Sequence, residues 1–91
     1  MVFKVYTTPT FDREFKKAVS KDNLLLAAFE KIVVILSFDP FNLSREHNIK
    51  KLTDVEVGRW HVRFRDYRIR YDITGSKVIF HYIRNRKDAY K

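Results

Sequence analysis

The sequence contains no cysteine, two glycines, two prolines and only eleven acidic residues against nineteen Lys and Arg. Without cysteine there are no disulfides, zinc–thiolate sites or cysteine nucleophile. Two glycines are too few for a glycine-rich phosphate-binding loop. The longest apolar region, residues 24–38, is interrupted by Glu30 and Lys31 and falls short of the roughly 20 residues that cross a bilayer. Met1 leads into the strand-like run VFKVY rather than a signal peptide. We therefore expect a soluble, cytoplasmic protein with no membrane partner.

The composition describes one compact domain with a basic C-terminal half. The chain has 91 residues, a hydrophobic fraction of 45%, eight Phe and five Tyr, which suits a single globule covering residues 1–91. Residues 1–45 hold seven basic and five acidic side chains, a net +2, whereas residues 46–91 hold twelve and six, a net +6. An excess of this kind favours a polyanionic partner such as nucleic acid, although it also serves solubility.

Hydrophobic periodicity predicts the order of helices and strands. Residues 2–6 alternate like a strand, and Thr8 or Thr10 can cap a short amphipathic helix that stops near residues 20–23. A second helix, which Asp22 or Asn23 can cap, is predicted over residues 24–38 and must end at Asp39 because proline follows. Its apolar residues spread over more than one face, which indicates a helix covered by both the sheet and the first helix; a waiting protein partner is the alternative.

The rest of the chain predicts an antiparallel sheet. A polar connection at residues 41–58 precedes strands at 59–65, 67–74 and 77–84, joined by tight turns at Asp66 and at Gly75-Ser76. The expected fold is α+β: a small, mainly antiparallel sheet of four strands, in the order β-α-α-β-β-β, with two N-terminal helices on one face.

The segment RWHVRFRDYRIRYDI, residues 59–73, alternates arginine with large apolar side chains. Because side chains alternate faces along a strand, its apolar set should face the helices and its basic set the uncovered face. The predicted basic set is His61, Arg63, Arg65, Arg68 and Arg70. Crowded like charges are unfavourable unless an anion binds among them, and arginine matches phosphate oxygens well. We interpret this face as phosphate-binding rather than merely solvated.

The last strand, KVIFHYIR, is apolar on both faces. Strict alternation puts Val78, Phe80, Tyr82 and Arg84 on one side, with Ile79, His81 and Ile83 on the other. If Arg84 joins the basic set, His81 points to the helices, where we interpret it as a satisfied core histidine.

The sequence resembles the RelE/ParE superfamily of toxins from type II toxin–antitoxin modules. The resemblance covers nearly the whole chain and rests on NIKKL, WHVRFRDYRIRYDI and IRNRKDAY, with DYRIRY and the basic RKDAY terminus the most specific. The resemblance implies a small sheet with two helices on one face, a cognate antitoxin partner, and one of two activities. RelE-like members cleave mRNA in the A site of the 70S ribosome, whereas ParE-like members inhibit DNA gyrase.

The resemblance to RelE-like members also implies the site residues. They carry basic side chains on the first hairpin strand, an arginine on the second, and an arginine and tyrosine near the C-terminus. Those positions hold His61, Arg63, Arg68, Arg84 and Tyr90. Lysines stand at the first two positions in the best-known pattern, so the general base stays open among His61, Tyr90 and Lys50-Lys51. Further RNA contacts are expected from these residues: Arg65, Arg70, Lys50, Lys51, Arg86 and Lys87.

The chemistry expected of such a site needs few groups. The RNA 2′-hydroxyl is the nucleophile, arginines stabilise the developing phosphate charge, and one side chain moves a proton. His47, His61 and His81 fall at no metal-ligand spacing, so we expect no metal and no cofactor. The sequence thus predicts a metal-independent endoribonuclease, with gyrase inhibition or nucleic-acid binding without catalysis as the alternatives.

Overall fold

The structure is a computed structural model that describes residues 2–85. The predicted site residues Arg86, Lys87 and Tyr90 lie outside this range. Among the described residues, no helix has the length and apolar character needed to cross a membrane.

The domain consists of two helices and five strands. The elements are β1 (Lys4–Thr7), α1 (Pro9–Lys21), α2 (Leu25–Phe38), β2 (Ile49–Lys51), β3 (Trp60–Phe64), β4 (Tyr67–Thr74) and β5 (Lys77–Asn85). They form one sheet in the order β1-β5-β4-β3-β2, in which β1 runs parallel to β5 and the other neighbours are antiparallel. The predicted α+β class and the two helices are confirmed.

The predicted count of four strands is wrong by one. The additional strand, β2, lies inside the connection expected to be irregular and pairs Ile49 with Val62. It is only three residues long, and Ile49 is the one buried residue in it. A strand of three residues is too short to show alternation in the sequence, and its pairing with β3 depends on residues that follow a long connection.

Helix α1 begins where the sequence predicted. Thr8 is its N-cap, with its Oγ1 accepting a hydrogen bond from the Phe11 amide at 3.1 Å, and Pro9 occupies the first turn. The same hydroxyl donates to the His81 carbonyl at 3.3 Å. Thr8 therefore joins the start of α1 to β5 of the sheet.

The core lies between the helices and one face of the sheet. Phe11 and Ala18 of α1 and Leu25, Ile32 and Leu36 of α2 are buried there. The sheet contributes the following buried residues: Ile49, Val62, Tyr67, Ile69, Tyr71, Val78, Phe80 and Ile83. The predicted inward set of the β3–β4 hairpin is thereby confirmed at its centre.

Helix α2 is less covered than the sequence indicated. Its exposed fractions reach 47% at Leu26, 58% at Val34 and 65% at Phe38. The prediction that both the sheet and α1 cover this helix is wrong at these residues. Only one stripe, including Leu25, Ile32 and Leu36, faces the core, because a helix packed on one sheet cannot bury its opposite side.

A β-bulge in β5 decides which of its side chains face the core. Arg70 is opposite Tyr82, but Tyr71 is opposite Phe80, so His81 is the additional residue. Strict alternation would have placed Arg84 on the same side as Phe80. The bulge instead keeps Phe80 and Ile83 in the core while Tyr82 and Arg84 lie opposite arginines of β4.

Candidate nucleic-acid interface

The sheet surface away from the helices carries two rows of side chains that run across the strands. One row places Arg63 of β3 opposite Arg68 of β4, which is opposite Arg84 of β5. The second row is Lys50, His61, Arg70 and Tyr82, on β2 to β5 in order. We call these seven residues the basic face: Lys50, His61, Arg63, Arg68, Arg70, Tyr82 and Arg84.

Arg63 and Arg68 are directly opposed arginines of this face that have no acidic partner among the described residues. Within residues 2–85, neither has a carboxylate oxygen within 4.0 Å, and the buried Nε of Arg68 has no hydrogen-bond partner. Two neighbouring guanidinium groups repel each other across antiparallel strands. The arrangement is therefore electrostatically unfavourable in the free protein and becomes favourable when an anion binds between them.

His61 is the buried titratable group of the basic face. The residue is 7% exposed, and its Nδ1 is buried without a hydrogen-bond partner. Burial lowers the pKa of His61 below 6.5, and the positive charges of Arg68, Arg63, Lys50 and Arg70 lower it further. The imidazole is consequently neutral at pH 7 and able to accept a proton.

The burial of His61 makes stability depend on pH. Because its pKa is lower in the folded than in the unfolded state, the unfolded chain binds more protons below pH 6.5. The stability that comes from keeping His61 neutral is fully present above pH 6.5. It is lost as the pH falls below 6.5 and through the lower pKa of the folded state. We expect His61→Gln to flatten the decline in the free energy of unfolding as the pH falls below 6.5. Urea unfolding across this range measures the effect, and parallel curves for variant and parent would contradict it.

Arg70 is on the predicted face, but it has a structural task. Its Nε donates to the Gly58 carbonyl at 2.9 Å, and its Nη2 donates to the Val57 carbonyl at 3.0 Å. Arg70 therefore fastens the segment before β3 onto the sheet, and fewer of its donors are left for a phosphate than the sequence suggested.

The close approach of Gly58 to Arg70 gives a testable stability difference. Gly58 and Gly75 both have positive φ, 67° and 59°, but a Cβ at Gly58 would lie 3.0 Å from Arg70 Cβ, whereas nothing lies within 4 Å at Gly75. We expect Gly75→Ala to cost about 1 kcal/mol from backbone strain and Gly58→Ala about 2 to 3 kcal/mol, since Arg70 must shift its hydrogen bonds. Urea denaturation compares them; equal losses would refute the close contact.

Arg84 is the one arginine of the basic face that pairs with a carboxylate among the described residues. Its Nε donates to Glu14 Oε2 of α1 at 3.1 Å, and its Cζ lies 4.5 Å from the Tyr82 ring centroid. Neither Glu14 nor Tyr82 was predicted as part of the site. A signal existed for Tyr82, because alternation already put it on the same side of the last strand as Arg84.

Two predicted phosphate contacts are not on the basic face. Arg65 lies in the β3–β4 turn with φ 55°, and its Nη2 is 3.2 Å from Asp22 Oδ2 at the end of α1. Lys51 is opposite Trp60 and places its Nζ 5.7 Å from that ring. The prediction that Arg65 lies on the uncovered face is wrong, because the turn directs it toward Asp22. The register of β2 places Lys51 on the opposite side from Lys50. RNA contacts by Arg65 and Lys51 stay predictions.

His81 is paired rather than buried in the core. Its Nε2 lies 3.0 Å from Asp72 Oδ2, and Asp72 also accepts hydrogen bonds from the Gly58 and Arg59 amides at 2.8 Å each. The core prediction for His81 is wrong because the bulge turns this residue out of strict alternation. Asp72 is thus committed to backbone amides and His81, and it does not neutralise Arg63 or Arg68.

Within residues 2–85, no three His, Cys, Asp or Glu side chains are grouped as metal ligands.

Comparison with known proteins shows similarity of structure. A chain of the toxin–antitoxin complex RelBE2 from Mycobacterium tuberculosis matches with a TM-score of 0.74 and 24% identity, over 94% of this chain and 100% of that one. A chain of the RelB–RelE antitoxin–toxin complex from Methanococcus jannaschii gives 0.60 and 21%, over 93% and 94%. A chain of the E. coli DinJ–YafQ toxin–antitoxin complex gives 0.74 and 11%, over 100% of both.

No protein-family model and no curated protein matches the sequence. These three structural likenesses have identities below 25%, so what they share with this chain is the fold. The element order and the sheet agree with the architecture that the DYRIRY and RKDAY segments implied. The chain therefore has the fold of the RelE-like toxins.

Proposed function

We propose that this chain is the toxin of a type II toxin–antitoxin pair, and that it acts in the cytoplasm as an endoribonuclease on mRNA in the ribosomal A site. The observation that carries the proposal is the Arg63–Arg68 pair, which has no carboxylate within 4.0 Å among residues 2–85 and lies beside the buried, neutral His61. The fold shared with chains of toxin–antitoxin complexes supports it.

Charge stabilisation is the task proposed for the arginines. The 2′-hydroxyl of the nucleotide before the scissile bond attacks the phosphorus, and negative charge grows on the non-bridging oxygens. Arg63 and Arg68 are permanently protonated and lie side by side on adjacent strands, so their donors can bind these oxygens together. Arg84, next in the same row, extends the binding surface along the phosphate backbone.

Proton transfer is the task proposed for His61. The base removes the 2′-hydroxyl proton as the new P–O bond forms, and the 5′-oxygen leaves with a proton from a second group, for which Tyr90 is the candidate. A phosphate bound at Arg63 and Arg68 offsets the positive field that depresses the pKa of His61. Burial, the main cause of the lowered pKa of His61, persists when substrate binds, but the phosphate charge favours the protonated imidazole that proton abstraction produces.

The proposed protein partner is a cognate antitoxin. The exposed apolar side chains Leu26, Val34 and Phe38 of α2 offer a surface for an extended chain or a helix. A partner that covers the basic face instead would need acidic side chains to match Arg63 and Arg68. Each of the three structural neighbours is a chain from a toxin–antitoxin complex, which supports a partner of this class.

The chemistry of the RNA ends tests the proposed function. Purified protein is incubated with ribosomes translating a defined mRNA and with the same mRNA free in solution. Attack by the 2′-hydroxyl should leave a 2′,3′-cyclic phosphate on the upstream fragment, and a 2′-O-methyl group at the cut position should prevent cleavage. Where free RNA is cut, excess chelator should leave the rate unchanged. An Arg63→Gln protein purified identically controls for contaminating nuclease.

The outcomes separate the candidate functions. Cuts that depend on both the 2′-hydroxyl and Arg63 support the ribonuclease. In cells that express the chain, growth arrest with intact transcripts and with DNA breaks would point to gyrase as the target. Binding of RNA without cleavage and without growth arrest would leave a nucleic-acid-binding domain.

A further inference from the structure

We propose that Glu14 and Tyr82 are positioning residues that hold the guanidinium of Arg84 so that its two terminal nitrogens form a phosphate-binding fork. The proposal rests on the proposed function, and it assigns the site a contribution from helix α1.

The contacts of Arg84 come from two sides. Glu14 Oε2 accepts from Nε at 3.1 Å, and the Tyr82 ring lies under the guanidinium, with its centroid 4.5 Å from Cζ. Neither contact uses the terminal nitrogens Nη1 and Nη2. Since a guanidinium binds phosphate through a pair of donors, a group fixed at Nε and over its plane keeps its outer edge for the ligand.

Electrostatic repulsion explains why such holding is needed. Arg84 lies directly opposite Arg68, which is opposite Arg63, so three positive charges stand in one row. Its side chain is 58% exposed, so without the contacts to Glu14 and Tyr82 it could turn into solvent away from this row. The carboxylate of Glu14 offsets the repulsion from the helix side, and the Tyr82 ring adds a cation–π contact.

Glu14 is more buried than an ordinary surface carboxylate. Its side chain is only 27% exposed, and its Oε1 is buried without a hydrogen-bond partner. An oxygen in that state is costly, so a glutamate here gives the fold less than a well-solvated residue would. The side-chain hydrogen bond of Glu14 goes to Arg84. This contact fits a role in positioning Arg84 better than a role in stabilising the fold.

The β5 bulge makes the arrangement possible. It turns both Tyr82 and Arg84 onto the basic face, whereas uninterrupted alternation would put them beside Phe80 in the core. The Thr8 hydroxyl donates to the carbonyl of the bulge residue His81, so the start of α1 is tied to the same irregularity. Helix α1, which carries Glu14, is thereby registered against Arg84.

Double-mutant cycles with Arg84→Ala test the proposal. Glu14→Gln and Tyr82→Leu should each lower kcat for mRNA cleavage about ten-fold or more in the parent and have little further effect with Ala at position 84, because they act through this arginine. Tyr82→Phe keeps the ring and should retain activity. Glu30→Gln, an equal charge change on exposed α2, and Tyr6→Leu on β1 are the matched controls.

A second measurement follows Arg84 directly. The Nε–H resonance of Arg84 in ¹⁵N-labelled protein should be protected from exchange in the parent, and the protection should be lost in Glu14→Gln but kept in Glu30→Gln. Losses of kcat that are equal in both backgrounds would overturn the positioning role and leave the ribonuclease intact. Tyr82→Phe as damaging as Tyr82→Leu would overturn the ring contact. A parent that never cuts RNA overturns the function and the phosphate role of Arg84, while the resonance still reports whether Glu14 holds it.

Discussion

Replacing Arg68 with glutamine is expected to lower the rate of mRNA cleavage by about 100- to 1,000-fold, the usual loss when a donor to a transition-state oxyanion is removed. Arg68 is the middle arginine of its row, between Arg63 and Arg84. We therefore expect it to contact a phosphate bound by either neighbour. Its loss also removes the largest Coulombic cause of the lowered pKa of His61. Single-turnover cleavage measures the effect without interference from product release.

The fold should survive this substitution. Arg68 makes no ion pair among residues 2–85, and removing one of several crowded like charges relieves repulsion. Urea denaturation should therefore give a free energy of unfolding equal to or slightly above that of the parent. Arg13→Gln, an equal charge change on the exposed side of α1, is the matched control and should keep full activity. Parent-like cleavage by Arg68→Gln would remove the arginine row from the mechanism.

Replacing Phe11 with alanine is expected to lower the free energy of unfolding by about 3 to 5 kcal/mol. Phe11 is 1% exposed, and its ring centroid lies 5.7 Å from that of Phe15, 5.8 Å from Phe29 and 5.2 Å from Phe80. These four rings join α1, α2 and β5, so no single element can close the resulting cavity. The loss is a large part of the roughly 5 to 15 kcal/mol that stabilises a domain.

Phe38→Ala is the matched control for this loss. The same ring is removed, but Phe38 is 65% exposed, so the change should stay within about 0.5 kcal/mol. Chemical denaturation of the two variants and the parent gives the comparison. A Phe11→Ala protein as stable as Phe38→Ala would show that α1 does not pack on the sheet through this cluster.

The sequence predicted the faces of the β3–β4 hairpin because alternation is a local property. Val62 and Ile69 are in the core, and Arg63 and Arg68 are opposite each other on the uncovered side. The two-residue turn allows only one antiparallel register for β3 and β4. The alternation of apolar and polar residues was therefore enough to predict which side chains face the core.

Local patterns failed where pairing or direction depends on distant residues. The β5 bulge is set by how Tyr82 and Phe80 meet β4, and it moved His81 out of the core and onto Asp72. Arg65 followed its turn toward Asp22 on α1 instead of joining the basic face. Tyr90 lies outside the described residues, so its place in the site stays a prediction.

The sequence by itself determined the class of the fold, the two helices, the central hairpin and the choice of arginine for its uncovered side, because these follow from periodicity and side-chain chemistry. The tertiary structure decided which cations share one surface and which are neutralised. Arg63 and Arg68 stay without a carboxylate within 4.0 Å in residues 2–85, whereas Arg84 receives Glu14 from a helix seventy positions earlier. A carboxylate neutralises an arginine only when the two side chains are close in space. For residues far apart in the sequence, that distance is set by how the helices pack on the sheet.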